Sequence, residues 1–207
     1  MLRSLRPVAF LALTAFVPAL TVALVASSER PAAASAVLAL SLDDLVDKSD
    51  VVVLVTPKSR TARWEAGRIV TYTTVVVDAP VGGGPAAGDS LVVRTMGGVV
   101  GDIGQKVSGE AVLPIGTPAM LFLRDLPKPI AATALPGARS VTGMAQGTLP
   151  IVVGTDKVQR IGPSATSLTL VPPANPKSVP ANVATAGRPV KDVVVELRAL
   201  WTSHGKK

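Results

Sequence analysis

Apolar residues follow three different rhythms along this chain. From Pro7 to Ala26 they are continuous, interrupted only by Thr14 and Thr21. From Val51 to Ile161 they come in short β-branched runs separated by glycine and proline, the pattern of strands joined by turns. From Val193 to Trp201 they recur at helical spacing, with Val193, Val194, Leu197, Leu200 and Trp201 on one face and Lys191, Asp192, Glu196 and Arg198 elsewhere. That last pattern predicts an amphipathic helix over 190–204 that docks on the domain.

Within the β-rich middle, Ser41-Leu42-Asp43-Asp44 reads as an N-cap with acids in the first turn of a short helix ending near Ser49. Val51 to Val55 is a continuous apolar run, the mark of a strand covered on both faces, and Pro57 is expected to stop it. Lys58 to Arg68, with Arg60, Arg63, Trp64, Glu65 and Arg68, reads as a polar connection. Ile69 to Val77 is the strongest strand, dense in β-branched residues. Gly82-Gly83-Gly84-Pro85 reads as a turn and Leu91 to Thr95 as a third strand. Further strands are expected at Ala119 to Leu123, Ser140 to Gln146, Leu149 to Val153 and Lys157 to Ile161. From Gly162 to Pro189 the chain is rich in Pro, Ala, Ser and Thr and reads as an extended linker. Together these elements predict a mainly β domain over 37–161, a small antiparallel OB-like barrel or sandwich, with a short helix before it and the C-terminal helix after it.

The leading apolar segment decides the compartment. Arg3 and Arg6 precede it, and Ala34-Ser35-Ala36 fits the small-x-small rule for signal-peptidase cleavage. Residues 1–36 therefore read as a signal peptide and the protein as exported, periplasmic or extracellular. Left uncut, the same 20 residues would serve as an N-terminal anchor, and residues 7–26 would be the chain's one route into a membrane. About 170 residues remain after processing, enough for one domain with a real core.

Composition narrows the chemistry. The chain has no cysteine, so disulfides, thiol catalysis and thiolate metal sites are out of reach. Its single histidine, His204, lies near the C-terminus, which removes Ser-His-Asp triads and histidine-bearing zinc sites from consideration. The formal net charge is +7, and the basic residues are dispersed among few aromatics. That arrangement fits a solvated surface or contact with an anionic envelope polymer, not nucleic-acid stacking.

The sharpest constellation is Gly97 to Gly109, with five glycines in thirteen residues. Such a loop lets backbone approach a ligand, and its N–H groups can form an anion nest that Lys106 would assist. It is neither a P-loop nor a dinucleotide fingerprint. The same glycines also suit a loop shaped for backbone geometry alone. Candidate binding residues are Gly97, Gly98, Gly101, Asp102, Gly104, Gln105 and Lys106, with Trp64 as an exposed contact. Asp102 and Glu110 are the one carboxylate pair in reach of acid–base chemistry, or of calcium with loop carbonyls. No cofactor is expected.

Leu42-Asp43-Asp44-Leu45-Val46, Asp50-Val51-Val52-Val53, Trp64, Ile69-Val70-Thr71, Gln105-Lys106-Val107-Ser108-Gly109, Leu121-Phe122-Leu123 and Val141-Thr142-Gly143-Met144-Ala145-Gln146-Gly147 recur in an order that resembles an uncharacterised family of exported bacterial proteins. The resemblance spans about residues 41 to 153 and brings no activity with it. More distantly, the opening strand and the long second strand are similar to the netrin-like modules of metalloprotease inhibitors, which are OB barrels. Those inhibitors hold zinc through an N-terminal cysteine that this chain lacks. The expectation is an exported, non-catalytic module that binds a protein or an anionic envelope polymer. The alternative is a hydrolase using carboxylates beside the glycine loop.

Overall fold

The computed structural model describes residues 36–163, 169–172 and 178–206. The proposed leader, apart from Ala36, and part of the Pro-rich segment lie outside the described residues.

The chain runs β1 (Ala36–Leu38), α1 (Leu42–Asp47), β2 (Val51–Glu65), β3 (Arg68–Gly82), β4 (Ser90–Met96), β5 (Gly98–Val100), β6 (Ile103–Gln105), β7 (Ala119–Asp125), α2 (Lys128–Ala131), β8 (Ala138–Val141), a 3-10 turn (Met144–Gly147), β9 (Thr148–Val153), β10 (Gln159–Ile161), β11 (Thr169–Val171), α3 (Ala181–Thr185) and α4 (Val190–Ser203). The fold is mainly β. Seven strands form the large sheet in the order β10-β9-β7-β2-β3-β4-β8, all antiparallel except β4 and β8. One edge of β7 serves two partners in succession, with Ala119–Leu121 against β9 and Leu123–Asp125 against β8.

The run at Val51 to Val55 is covered on both sides, as its continuous hydrophobicity predicts. Val51, Val53 and Val55 join Val75, Val77, Val93, Leu121, Leu123 and Val141 in one cluster. Val52 belongs instead to a second cluster with Phe122, Met120, Leu45 and the α4 residues Val193, Leu197 and Trp201. The C-terminal helix thus docks as its spacing predicts, and Gly82 makes room for it. A Cβ at that position would stand 2.4 Å from the Trp201 indole.

Charge and capping lock both ends. Ser41 and Asp44 form a reciprocal capping box at the start of α1. At its other end the Lys206 ammonium donates to the carbonyls of Val46, Asp47 and Ser49 at 2.6–2.7 Å, where the helix dipole favours a cation. His204 Nε2 lies 2.9 Å from Asp43 Oδ1, so the histidine is placed by a structural contact.

Several expectations are corrected. Pro57 does not stop the second strand. The register merely shifts between Pro57 and Ser59, and β2 continues to Glu65 before reversing through Ala66 and Gly67. Both turn residues have positive φ (47° and 75°), the geometry that matches the twist of a two-residue hairpin. Lys58 to Arg68 is therefore one end of a long ribbon, not a connection. Ser140 to Gln146 is split, its strand ending at Val141, because Gly143 and Met144 adopt left-handed conformations that lead into the 3-10 turn. Within 162–189, β11 pairs in parallel with β1, and α3 buries Ala181 and Thr185.

Candidate functional site

The glycine segment folds into a small hairpin. β5 and β6 pair through Gly98–Gln105, Val99–Gly104 and Val100–Ile103, turning at Gly101-Asp102. This hairpin lies against the β2–β3 ribbon, and its first two glycines are what allow it. Gly97 has a φ of +90°, and a Cβ there would meet the Gln105 carbonyl oxygen at 2.6 Å. At Gly98, with φ +135°, a Cβ would meet Thr71 Oγ1 at 2.3 Å and Ala62 Cβ at 3.1 Å. Gly101 and Gly104 face no such crowding. Gln105 also has a structural task, since its Oε1 accepts the Ile69 N–H at 2.7 Å.

The structure brings part of the expected constellation together. Gly98, Gly104, Gln105 and Lys106 line one cavity of about 560 Å³ with Val99, Glu110 and Val112. Asp102 and Gly101 do not line it and sit exposed at the hairpin turn. Trp64 does not line it either. Two positions from Ala62 on β2, it stands on the ribbon face that the glycine hairpin covers and is 50% exposed. Val99 and Ile103 of the hairpin are exposed as well, and Arg60 and Val99 share a small cavity beside them.

Beyond the hairpin the chain alternates. Ala111 and Leu113 enter the β cluster, while Glu110, Val112 and Pro114, with the edge of Leu113, line a second cavity of about 260 Å³. Pro57, Pro118, Pro150, Pro163, Ala145 and Thr148 complete most of its wall. Burial raises the Glu110 carboxyl above the usual glutamate range, and hydrogen bonds from the Ala111 and Met96 amides only partly offset this. Thr148 Oγ1 is buried without a hydrogen-bond partner. Sequence reasoning picked out Glu110 but missed Thr148 and the prolines. The available signal was the concentration of proline, with Pro114 and Pro118 in the loop before β7 and Pro150 within β9.

A second glutamate has the opposite surroundings. Glu65, with its side chain 6% exposed, is held by Arg94 at 2.8 Å and 3.1 Å, by Arg63 at 3.4 Å and by the Tyr72 hydroxyl. Burial alone would raise its carboxyl. The hydrogen bonds from Tyr72, Arg94 and Arg63, reinforced by the charge of Arg94, win and hold it below the usual range. Arg63 stacks 4.7 Å from the Tyr72 ring centroid and donates to the Thr133 carbonyl, which ties the segment after α2 to the ribbon. The Gly-Met-x-Gln-Gly stretch is likewise a clamp. Gln146 accepts the Leu40 N–H at 2.8 Å and donates to the Leu38 carbonyl at 3.1 Å.

Among the described residues, no group of three His, Cys, Asp or Glu side chains is placed to hold a metal, and no helix is long and apolar enough to cross a membrane. Neither a protein-family profile, nor a curated protein, nor a solved structure matches the chain.

Proposed function

We propose that the chain is an exported, non-catalytic binding module built on an OB-like barrel, and that it contacts a protein or an anionic polymer of the cell envelope. The barrel reading is supported by the run of pairings β7–β2–β3–β4–β8, by the return of β8 to β7 and by the parallel pairing of β4 with β8. Export is supported by the basic start, apolar core and small residues of the leader.

One observation carries the binding reading. Trp64, Val99 and Ile103 are exposed on adjoining hairpins, and the basic Arg60 shares a cavity with Val99. A half-exposed tryptophan in such a setting is the kind of residue that anchors an interface. A hydrolytic role has less support, because Asp102 stays outside the cavity that holds Glu110 and the pair is not assembled around one space.

The test is a photo-crosslinking residue placed at Val99 or Ile103, with Val195 on the exposed face of α4 as the control. Adducts with one envelope component from the two hairpin positions and none from Val195 are expected. Labelling that is equal at all three positions contradicts the reading.

A further inference from the structure

The smaller cavity has an unusual wall. Proline carries no N–H, so Pro57, Pro114, Pro118, Pro150 and Pro163 offer a bound molecule no donor from their backbone. Four of their carbonyls are already engaged. Pro57 accepts from Gly116 at 2.8 Å, Pro114 from Thr117 at 3.2 Å, Pro118 from Ile151 at 3.0 Å and Pro150 from Gly162 at 2.7 Å.

The polar side-chain functions that remain at this wall are few. Thr117 lends an exposed hydroxyl, while the Thr148 hydroxyl oxygen makes no hydrogen bond and is closed off from solvent behind the wall. The Glu110 carboxylate joins no ion pair among the described residues. Arg94, the one cation that influences it, is committed to Glu65. The hydroxyls of Thr117 and Thr148 can donate or accept, the carboxylate accepts, and no cation is paired with it.

We propose that this cavity binds a small organic amine, its apolar body against the prolines and its ammonium on the Glu110 carboxylate. An ammonium has donors and no acceptor, which suits the carboxylate, the one charged side chain at this wall. It also brings the charge that a desolvated carboxylate lacks, and charge-assisted bonds of this kind are about twice as strong as neutral ones. A ligand carboxylate would set like charge against Glu110. The size fits a ring with a short arm, since an apolar cavity of about 150 Å³ takes benzene and this one measures about 260 Å³. The site is separate from the Trp64 face and does not depend on it.

Three probes with one phenylethyl body test the assignment on the full chain at pH 7.5: 2-phenylethylamine, 2-phenylethanol and 3-phenylpropanoate. The amine is expected to bind about tenfold more tightly than the alcohol, with the propanoate weakest. Amide NMR shifts from the amine should concentrate at Val112, Ala145 and Thr148. In Glu110→Gln the preference for amine over alcohol should disappear. The proposal is overturned if the alcohol matches the amine, if the amine fails to bind at millimolar concentration, or if the shifts fall on another surface. It is equally overturned if Glu110→Gln keeps the preference. Should that variant fail to fold, the probe series and the shift map on the unmodified chain still decide.

Discussion

Glu65 and Glu110 are both carboxylates drawn out of water, and the protein treats them in opposite ways. Around Glu65 every oxygen has a partner: Arg94 makes two short contacts, Arg63 adds a third, and the Tyr72 hydroxyl a fourth. Around Glu110 there are two backbone amides, and the one cation that influences it, Arg94, is paired with Glu65. The first arrangement is finished and holds the far end of the β2–β3 ribbon to the segment after α2. The second is left open beside an apolar cavity, with a buried hydroxyl nearby that is also unpaired. Burial alone therefore does not mark a functional carboxylate. What separates the two is whether the fold itself supplies the countercharge.

The largest effect should come from breaking the finished arrangement. Glu65→Ala leaves Arg94, 11% exposed, without its carboxylate. Removing one partner of a buried pair costs about 3–5 kcal/mol, read as the loss in unfolding free energy in urea. A loss below about 1 kcal/mol would erase the contrast between the two glutamates.

Next come the glycines that let the small hairpin lie on the ribbon. Gly97→Ala forces a Cβ against a backbone oxygen at positive φ, and about 1–3 kcal/mol of destabilisation is expected. Gly104→Ala, whose Cβ would meet nothing nearer than 3.8 Å, should fall within about 0.5 kcal/mol. Equal costs at the two positions would mean that the hairpin is not held as described.

The pH dependence sharpens the comparison further. A folded-state carboxyl raised above its unfolded value, as for Glu110, lowers stability as pH rises from the unfolded value through the folded one. Glu110→Gln should therefore gain on the wild type as pH climbs through that window and match it well below. Glu65 is lowered, so its contribution is present above the unfolded value and lost as pH falls through the folded one. Glu65→Gln should accordingly lose most near neutrality and least in acid. Thermal melts across pH 3 to 8 check both slopes, and slopes of the same sign would contradict the assignment.

The smallest effect on stability is expected at Trp64. Its truncation to alanine should change unfolding free energy by about 0.5 kcal/mol or less, as exposed substitutions usually do, while lowering crosslinking at the hairpin face. A large stability loss would make Trp64 part of the frame.

The sequence made the frame more legible than the site. The run at Val51 to Val55, the dense β-branched strand at Ile69 to Val77 and the helical spacing from Val193 to Trp201 each declare burial through residue type alone. All three are found where the pattern places them. The ribbon end was hidden because Lys58 to Arg68 is polar, and a strand beyond the core has no hydrophobic face to announce it. The turn at Ala66-Gly67 held the better clue. The glycine segment stood out in the sequence as a candidate site, and in the structure Gly97 and Gly98 serve close approach while Gln105 holds the end of a strand. The proline-lined cavity could not be read locally. Pro57, Pro114 and Pro150 come together only through the pairings of β2, β7 and β9.

Site-resolved titration of the glutamate side-chain carboxyls by carbon-detected NMR is the most direct test of the contrast on which this account rests. Glu110 should titrate above an ordinary glutamate and Glu65 below one, in the same sample. Adding 2-phenylethylamine should draw Glu110 downward and leave Glu65 unmoved. A Glu110 that titrates like an exposed glutamate and ignores the amine would contradict it.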